Sequence, residues 1–155
     1  MLGLSAQGTL ERPGLTGAEL RLWAEGVGLW APPATTLNGT RVEVQAWPVE
    51  YRWNMGDGTA PLVLTCPGNE ADPTATGSCA GSAAEPHATH VFETKSSVGA
   101  PDGVAYTVGL QVVWRARYRV VDDGAPGAWV ALPDRLSEAA RPFRVEEVRA
   151  ALVGD

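Results

Sequence analysis

Residues 106–120 leave the chain little choice of secondary structure. Tyr106, Val108, Leu110, Val112, Trp114, Ala116, Tyr118 and Val120 share one parity, while Thr107, Gly109, Gln111, Val113, Arg115, Arg117 and Arg119 take the other. Side chains alternate faces along a β-strand, so a period of two gathers every apolar and aromatic group of the first set on one side. A helix would scatter the same residues around its circumference. The spacing predicts one long strand with a core-facing side and a cationic outer side. A bend or bulge is expected near Gly109, which has no side chain to pack.

Shorter runs of the same kind fill the rest of the chain. Leu20, Leu22 and Ala24 alternate with Arg21 and Trp23, and Val42, Val44 and Ala46 alternate with Arg41, Glu43, Gln45 and Trp47. Pro48 is expected to end that second strand, with Val49, Tyr51 and Trp53 beginning a third. Asn38-Gly39 is a hairpin-turn signal; with Thr40 it also forms a glycosylation sequon, read here as turn chemistry. Residues 62–66 and 90–92 predict further short strands. After the turn at Asp122-Asp123-Gly124, Trp129 to Leu132 pairs back as a hairpin partner. Pro133 and Pro142 are expected to bracket a polar connection before a last strand at Phe143 and Val145. Over 145–152 strand and helix spacings both fit, with strand favoured to about residue 148.

Roughly seven or eight short strands joined by turns predict an all-β, antiparallel sandwich of immunoglobulin-like kind. The 18 glycines and 12 prolines suit that reading. The 155 residues give room for one domain. It is expected over 18–150, after an extended arm at 1–17 and before a tail at 151–155. The arm carries Gly3, Gly8, Pro13, Gly14 and Gly17 without periodicity. It reads as a poorly ordered terminus or as a strand donated to a neighbour's sheet edge, which would make the chain self-associate.

A net charge of −6 argues against a nucleic-acid partner, which would want a basic face. No apolar run approaches the roughly 18–20 residues needed to span a bilayer. The first eight residues lack the basic and apolar regions of a signal peptide. Cys66 and Cys79 in a loop-rich β-domain read as a disulfide and an oxidising compartment. The expected setting is therefore secreted or cell-surface, with an export or anchor segment upstream. Closing that loop of about 14 residues would contribute about 3 kcal/mol in the chain-entropy model. A zinc site formed with His87 and His90 is the rival, although ligand pairs usually sit two to five residues apart; free thiols are the third reading.

The stretch Trp53-Asn54-Met55-Gly56-Asp57-Gly58-Thr59 resembles the W-x-x-G-D-G signature of the polycystic kidney disease (PKD) domain, an immunoglobulin-like β-sandwich. His90-Val91-Phe92 and the strand with Tyr106, Val108, Leu110 and Val112 are similar to the family's H-x-Y/F and Y-x-V-x-L-x-V elements, in the same order. More specifically, the chain looks like secreted or surface-anchored actinobacterial proteins in which a cysteine follows M-G-D-G-T and a second precedes the histidine. Cys66, Cys79 and His90 match that layout. Asn54 stands where Asp is usual, and the segment between Cys79 and His90 is longer than the pattern. The resemblance covers roughly residues 40–120. It implies a spacer or binding module outside the cell, with no cofactor and no single activity.

Each candidate for chemistry has a plainer alternative. Asp57 between two glycines suits a calcium ligand or an acceptor pinning its own turn; Asp72, Asp102, Asp122 and Asp123 are scattered, whereas calcium wants six to eight oxygens. His90 suits a structural hydrogen bond better than catalysis. Without G-x-S-x-G, H-E-x-x-H or a phosphate loop, no enzyme is expected. Arg115, Arg117 and Arg119 would grip an acidic protein or polysaccharide, or else pair with carboxylates on a solvated face. Trp53 and Trp114 are expected in the core. Trp23, Trp47 and Trp129 lie off the apolar parity, so they mark an exposed interaction surface or a sheet covered on both sides. Three classes follow: a module binding protein or sugar, a structural subunit of a filament, shell or virion surface, and, least favoured, a hydrolase.

Overall fold

A computed structural model describes residues 2–4, 13–25, 28–66, 73, 81–82, 84–122 and 124–147. The elements are β1 (Leu2–Leu4), β2 (Gly14–Leu15), β3 (Glu19–Ala24), β4 (Thr35–Leu37), β5 (Thr40–Asn54), β6 (Leu62–Thr65), β7 (Ala88–Val91), α1 (Ser96–Gly99), β8 (Tyr106–Asp122), β9 (Ala125–Pro126), β10 (Val130–Phe143) and β11 (Val145–Glu146). The chain is all-β and antiparallel, apart from the short parallel pair β2–β11. One sheet has the order β1-β3-β7. A second runs β10-β8-β5-β4, with β6 also on β5 and β9 on β8, and β11 with β2 makes a two-stranded third.

The core forms where β3 faces β5 and β8. Leu20, Leu22 and Ala24 pack with Tyr51, Trp53, Met55, Phe92, Tyr106, Val108, Leu110, Val112, Phe143 and Val145. These are the inward parities of the alternating runs, and burying apolar surface is the main force that holds such layers together.

Three prolines behave differently from expectation. Pro48 does not end a strand. β5 runs 15 residues through it, and the ladder with β8 slips between Pro48 and Glu50. A bulge interrupts the ladder where proline has no N–H to give. The irregularity therefore lies at Val49, and Gly109 stays in register opposite Asn54. Pro133 and Pro142 likewise sit inside β10, which is continuous over 14 residues and bulged between Leu132 and Arg135. Within its sheet β10 is an edge strand, where a missing donor faces outward at little cost.

The first 17 residues supply two strands paired within their own chain. Leu2 and Leu4 lie opposite Ala24 and Leu22, and Gly14 lies beside Val145. Residues 5–12 and the tail from 148 onward fall outside the described residues.

Candidate functional site

The signature residues converge on one motif. Where β5 ends, the Asn54 side-chain oxygen accepts the Gly56 N–H at 2.9 Å, the work an aspartate would do there. Asp57 Oδ1 accepts both the N–H and the hydroxyl of Thr59, at 3.0 and 2.6 Å. Gly56 has φ +72°, and a Cβ on it would lie 2.7 Å from the Thr107 carbonyl oxygen, so only glycine fits. The other carboxylate oxygen of Asp57 accepts a hydrogen bond from His90 Nε2 at 2.8 Å.

His90 meets the Phe92 ring edge-on at 4.7 Å, and Phe92 stacks on Tyr106 at 4.5 Å. The Tyr106 hydroxyl donates to the Thr94 carbonyl at 2.8 Å. The chain Thr59–Asp57–His90–Phe92–Tyr106 thus fastens the turn after β5 to β7 and β8. Burial alone would push the Asp57 carboxyl up, but the hydrogen bonds from Thr59 and His90 together outweigh it and hold the pKa below the usual carboxylate value.

Asp57 is therefore an acceptor within its own turn. Asp102 plays the same part, taking the Val104 and Ala105 N–H groups at 2.8 and 3.0 Å. Among the described residues no three His, Cys, Asp or Glu side chains converge as metal ligands. Asp72 and Asp123 lie outside that set, as does Cys79. Cys66 is buried in the core. His87 does not join His90: its ring packs against Tyr51, with centroids 4.5 Å apart. Burial pushes the Tyr51 phenol up to about 12.

Arg115, Arg117 and Arg119 project from β8 on its outer side and are engaged within the chain. Arg119 bonds Glu43 at 2.6 Å, Arg117 bonds Gln45 at 3.0 Å, and Arg115 reaches Asp134 at 3.4 Å. Arg117 and Arg119 also lie over the Trp129 ring, 4.4 and 4.5 Å from its centroid, and Arg117 covers Trp47. Trp129 is half-buried by this stacking. Trp47 and Trp23 are buried rather than exposed. Trp23 stays satisfied because its indole N–H donates to Glu25 at 3.1 Å. Of the two readings for these tryptophans, the covered one holds for Trp23 and Trp47, and arginines lie over the rings of Trp47 and Trp129.

Sequence reasoning missed Ser96. It is buried at the start of α1, donates to the Val104 carbonyl at 2.7 Å and accepts the Val145 N–H at 3.2 Å. Its signal, a small polar residue in a turn-rich stretch, is shared by many exposed serines. Two open depressions are also present. One, of about 490 Å³, is lined by Lys95, Arg144, Glu146 and Glu147; the other, of about 380 Å³, is lined by Arg52, Asn54, Gln111 and Glu138.

The feature that stands apart is the far half of the larger sheet, the wing. Of the eight same-parity residues of β8, the first four are core and Trp114 packs at its margin. Ala116 and Tyr118 are only half-buried, and Val120 is 40% exposed. Directly opposite residues in an antiparallel ladder share a face. Val42, Val44, Ala46 and Pro48 lie opposite Val120, Tyr118, Ala116 and Trp114. On the other side Val130 and Leu132 lie opposite Tyr118 and Ala116, and they are 47% and 39% exposed. Trp30 bridges to Ala46 and is 56% exposed. The result is an apolar sheet face that continues past the sandwich core. No family model matches the chain, and no curated protein or solved structure matches it either.

Proposed function

We propose that the chain is a non-catalytic PKD-like module that works outside the cell, as a spacer or as an interaction domain for protein or polysaccharide. The observation that carries this is the apolar wing, because a soluble fold rarely leaves such a face open unless something docks there. The PKD type is supported by Trp53, Gly56, Asp57, Gly58, His90 and Tyr106, which follow the family's order, and by the contacts that link Asp57, His90 and Tyr106 through Phe92. The His90–carboxylate pair serves as a fastener between sheets, which favours scaffold over catalysis. The pairing of Cys66 with Cys79 belongs to the same extracellular reading.

The test is sedimentation of the folded chain with purified insoluble bacterial cell wall, beside assays with chromogenic ester and peptide substrates. Retention by the wall and no turnover are expected. Turnover that disappears in His90→Ala would overturn the proposal.

A further inference from the structure

We infer that the apolar face of the wing packs against the same face of a second copy of this chain, forming a two-fold dimer. The inference rests on reading the chain as an interaction module and names the surface and the partner. A sheet that is apolar on one side must bury that side against another layer. Over Tyr106 to Val112 the other sheet supplies the layer. Beyond Trp114 the face made by Val44, Ala46, Ala116, Tyr118, Val130 and Leu132 lies outside the core cluster; its centre is half-buried and Val130 and Leu132 are exposed.

Three long segments largely outside the described residues are poorly suited to cover it. Residues 148–155 are apolar enough, but they leave from β11, beside the end of β8 where Phe143 pairs with Tyr106. From Tyr106 to Tyr118 a strand advances about 40 Å, whereas eight extended residues reach at most about 29 Å. Residues 67–80 carry only alanine, proline and Cys79 as apolar groups. Residues 5–12 contain one large apolar side chain, Leu10, and join β1 to β2 at the core end.

Charge favours a copy of the chain over an ionic partner. No side chain from residues 42, 44, 46, 48, 114, 116, 118, 120, 130 or 132 carries a charge at neutral pH; Arg135, opposite Trp114, bounds the inner end. Asp122, two residues beyond Val120 and of the same parity, bounds the outer end, while Glu43 with Arg119 and Asp134 with Arg115 pair on the opposite face. The middle of two wings stacked face to face is therefore free of charge, despite a net charge of −6. β8 and β5 contribute about seven residues each and β10 and β4 about three each, which at about 4.8 Å between strands makes a face of roughly 320 Å². Doubled, that is roughly 640 Å², below the size of stable specific interfaces, so the dimer is weak, reversible and concentration-dependent. The two sheets would lie about 10 Å apart, crossing at about 30°.

Sedimentation equilibrium on the full chain from about 5 to about 500 µM tests this by mass action. The mass is expected to rise from 16.3 kDa toward twice that value. Ala116→Arg should hold it at the monomer, whereas Ala140→Arg, exposed on the other side of the sheet, should leave the rise intact. If Ala116→Arg melts early, Val130→Asp at the exposed rim should give the same loss in a folded protein. A wild-type monomer throughout would overturn the dimer; if it still sediments with cell wall, the interaction module stands without it. Association that survives Ala116→Arg but vanishes when residues 1–17 are removed would overturn the dimer in favour of arm exchange.

Discussion

His90 and Asp57 stand 33 residues apart and meet at 2.8 Å, joining β7 of one sheet to the turn after β5 of the other. Both side chains are largely shielded from water, so the bond is charge-assisted and little screened. Asp57→Ala should cost about 2 kcal/mol, because a hydrogen bond to a charged group is lost and His90 loses its acceptor. In a chain of this length that lowers Tm by about 4–8 °C. Calorimetry at neutral pH measures it.

The same carboxylate gives an acid-side prediction. Its folded pKa lies below the ordinary value, so its stabilisation is complete above the unfolded carboxylate value of about 4 and is lost as pH falls through the folded pKa. Tm of the wild type should therefore drop below about pH 4, and Asp57→Asn should show a shallower drop in the same titration. Parallel curves for the two proteins would remove Asp57 from the acid response.

Gly56 and Gly58 separate two costs that one sequence motif merges. Both have positive φ, at +72° and +84°, but only Gly56 has backbone within reach of a new Cβ. Gly58→Ala should cost about 1 kcal/mol, the penalty for a side chain in the left-handed region. Gly56→Ala adds a clash with the Thr107 carbonyl and should cost about 3 kcal/mol or more. Urea unfolding of the two variants gives the difference directly.

Tyr51 is fully buried, and among the described residues its hydroxyl finds no hydrogen-bond partner. Tyr51→Phe should be neutral or stabilising by about 1 kcal/mol, since it removes an unsatisfied polar atom and leaves the ring against His87. It should also change the alkaline limb. The phenol, raised to about 12 by burial, contributes stability that is full below its unfolded value and fades as pH rises through the folded one. Denaturation followed between about pH 9 and about pH 12 should be less steep for Tyr51→Phe.

The proposed Cys66–Cys79 bond is checked by intact mass without reductant. Paired cysteines leave the mass two hydrogens below the reduced form and no thiol to alkylate. Reduction, or Cys79→Ser, should then cost about 3 kcal/mol through loop entropy.

Much of this molecule was legible in its residues. The alternation from Tyr106 to Val120 required a strand, and Gly56-Asp57-Gly58 required a tight turn, because parity and φ are local properties. Proline was misread, since its cost depends on position in the sheet. Pro48 falls at a bulge and Pro133 and Pro142 fall on an edge, neither of which a local pattern reveals. The arginines and off-parity tryptophans each allowed two readings, and contacts distant in sequence chose the paired arginines and the covered rings. Trp47 and Trp129 are covered by Arg117, reached across strands rather than along the chain.

What the sequence determined alone was which side chains share a face, because a strand turns every second residue the same way whatever surrounds it. It marked eight residues of β8 as apolar together. Only the tertiary structure decided that the other sheet stops near Val112, leaving the rest of that face outside the core cluster. Where a covering layer ends depends on contacts between residues far apart in the chain, and no period within one strand encodes it.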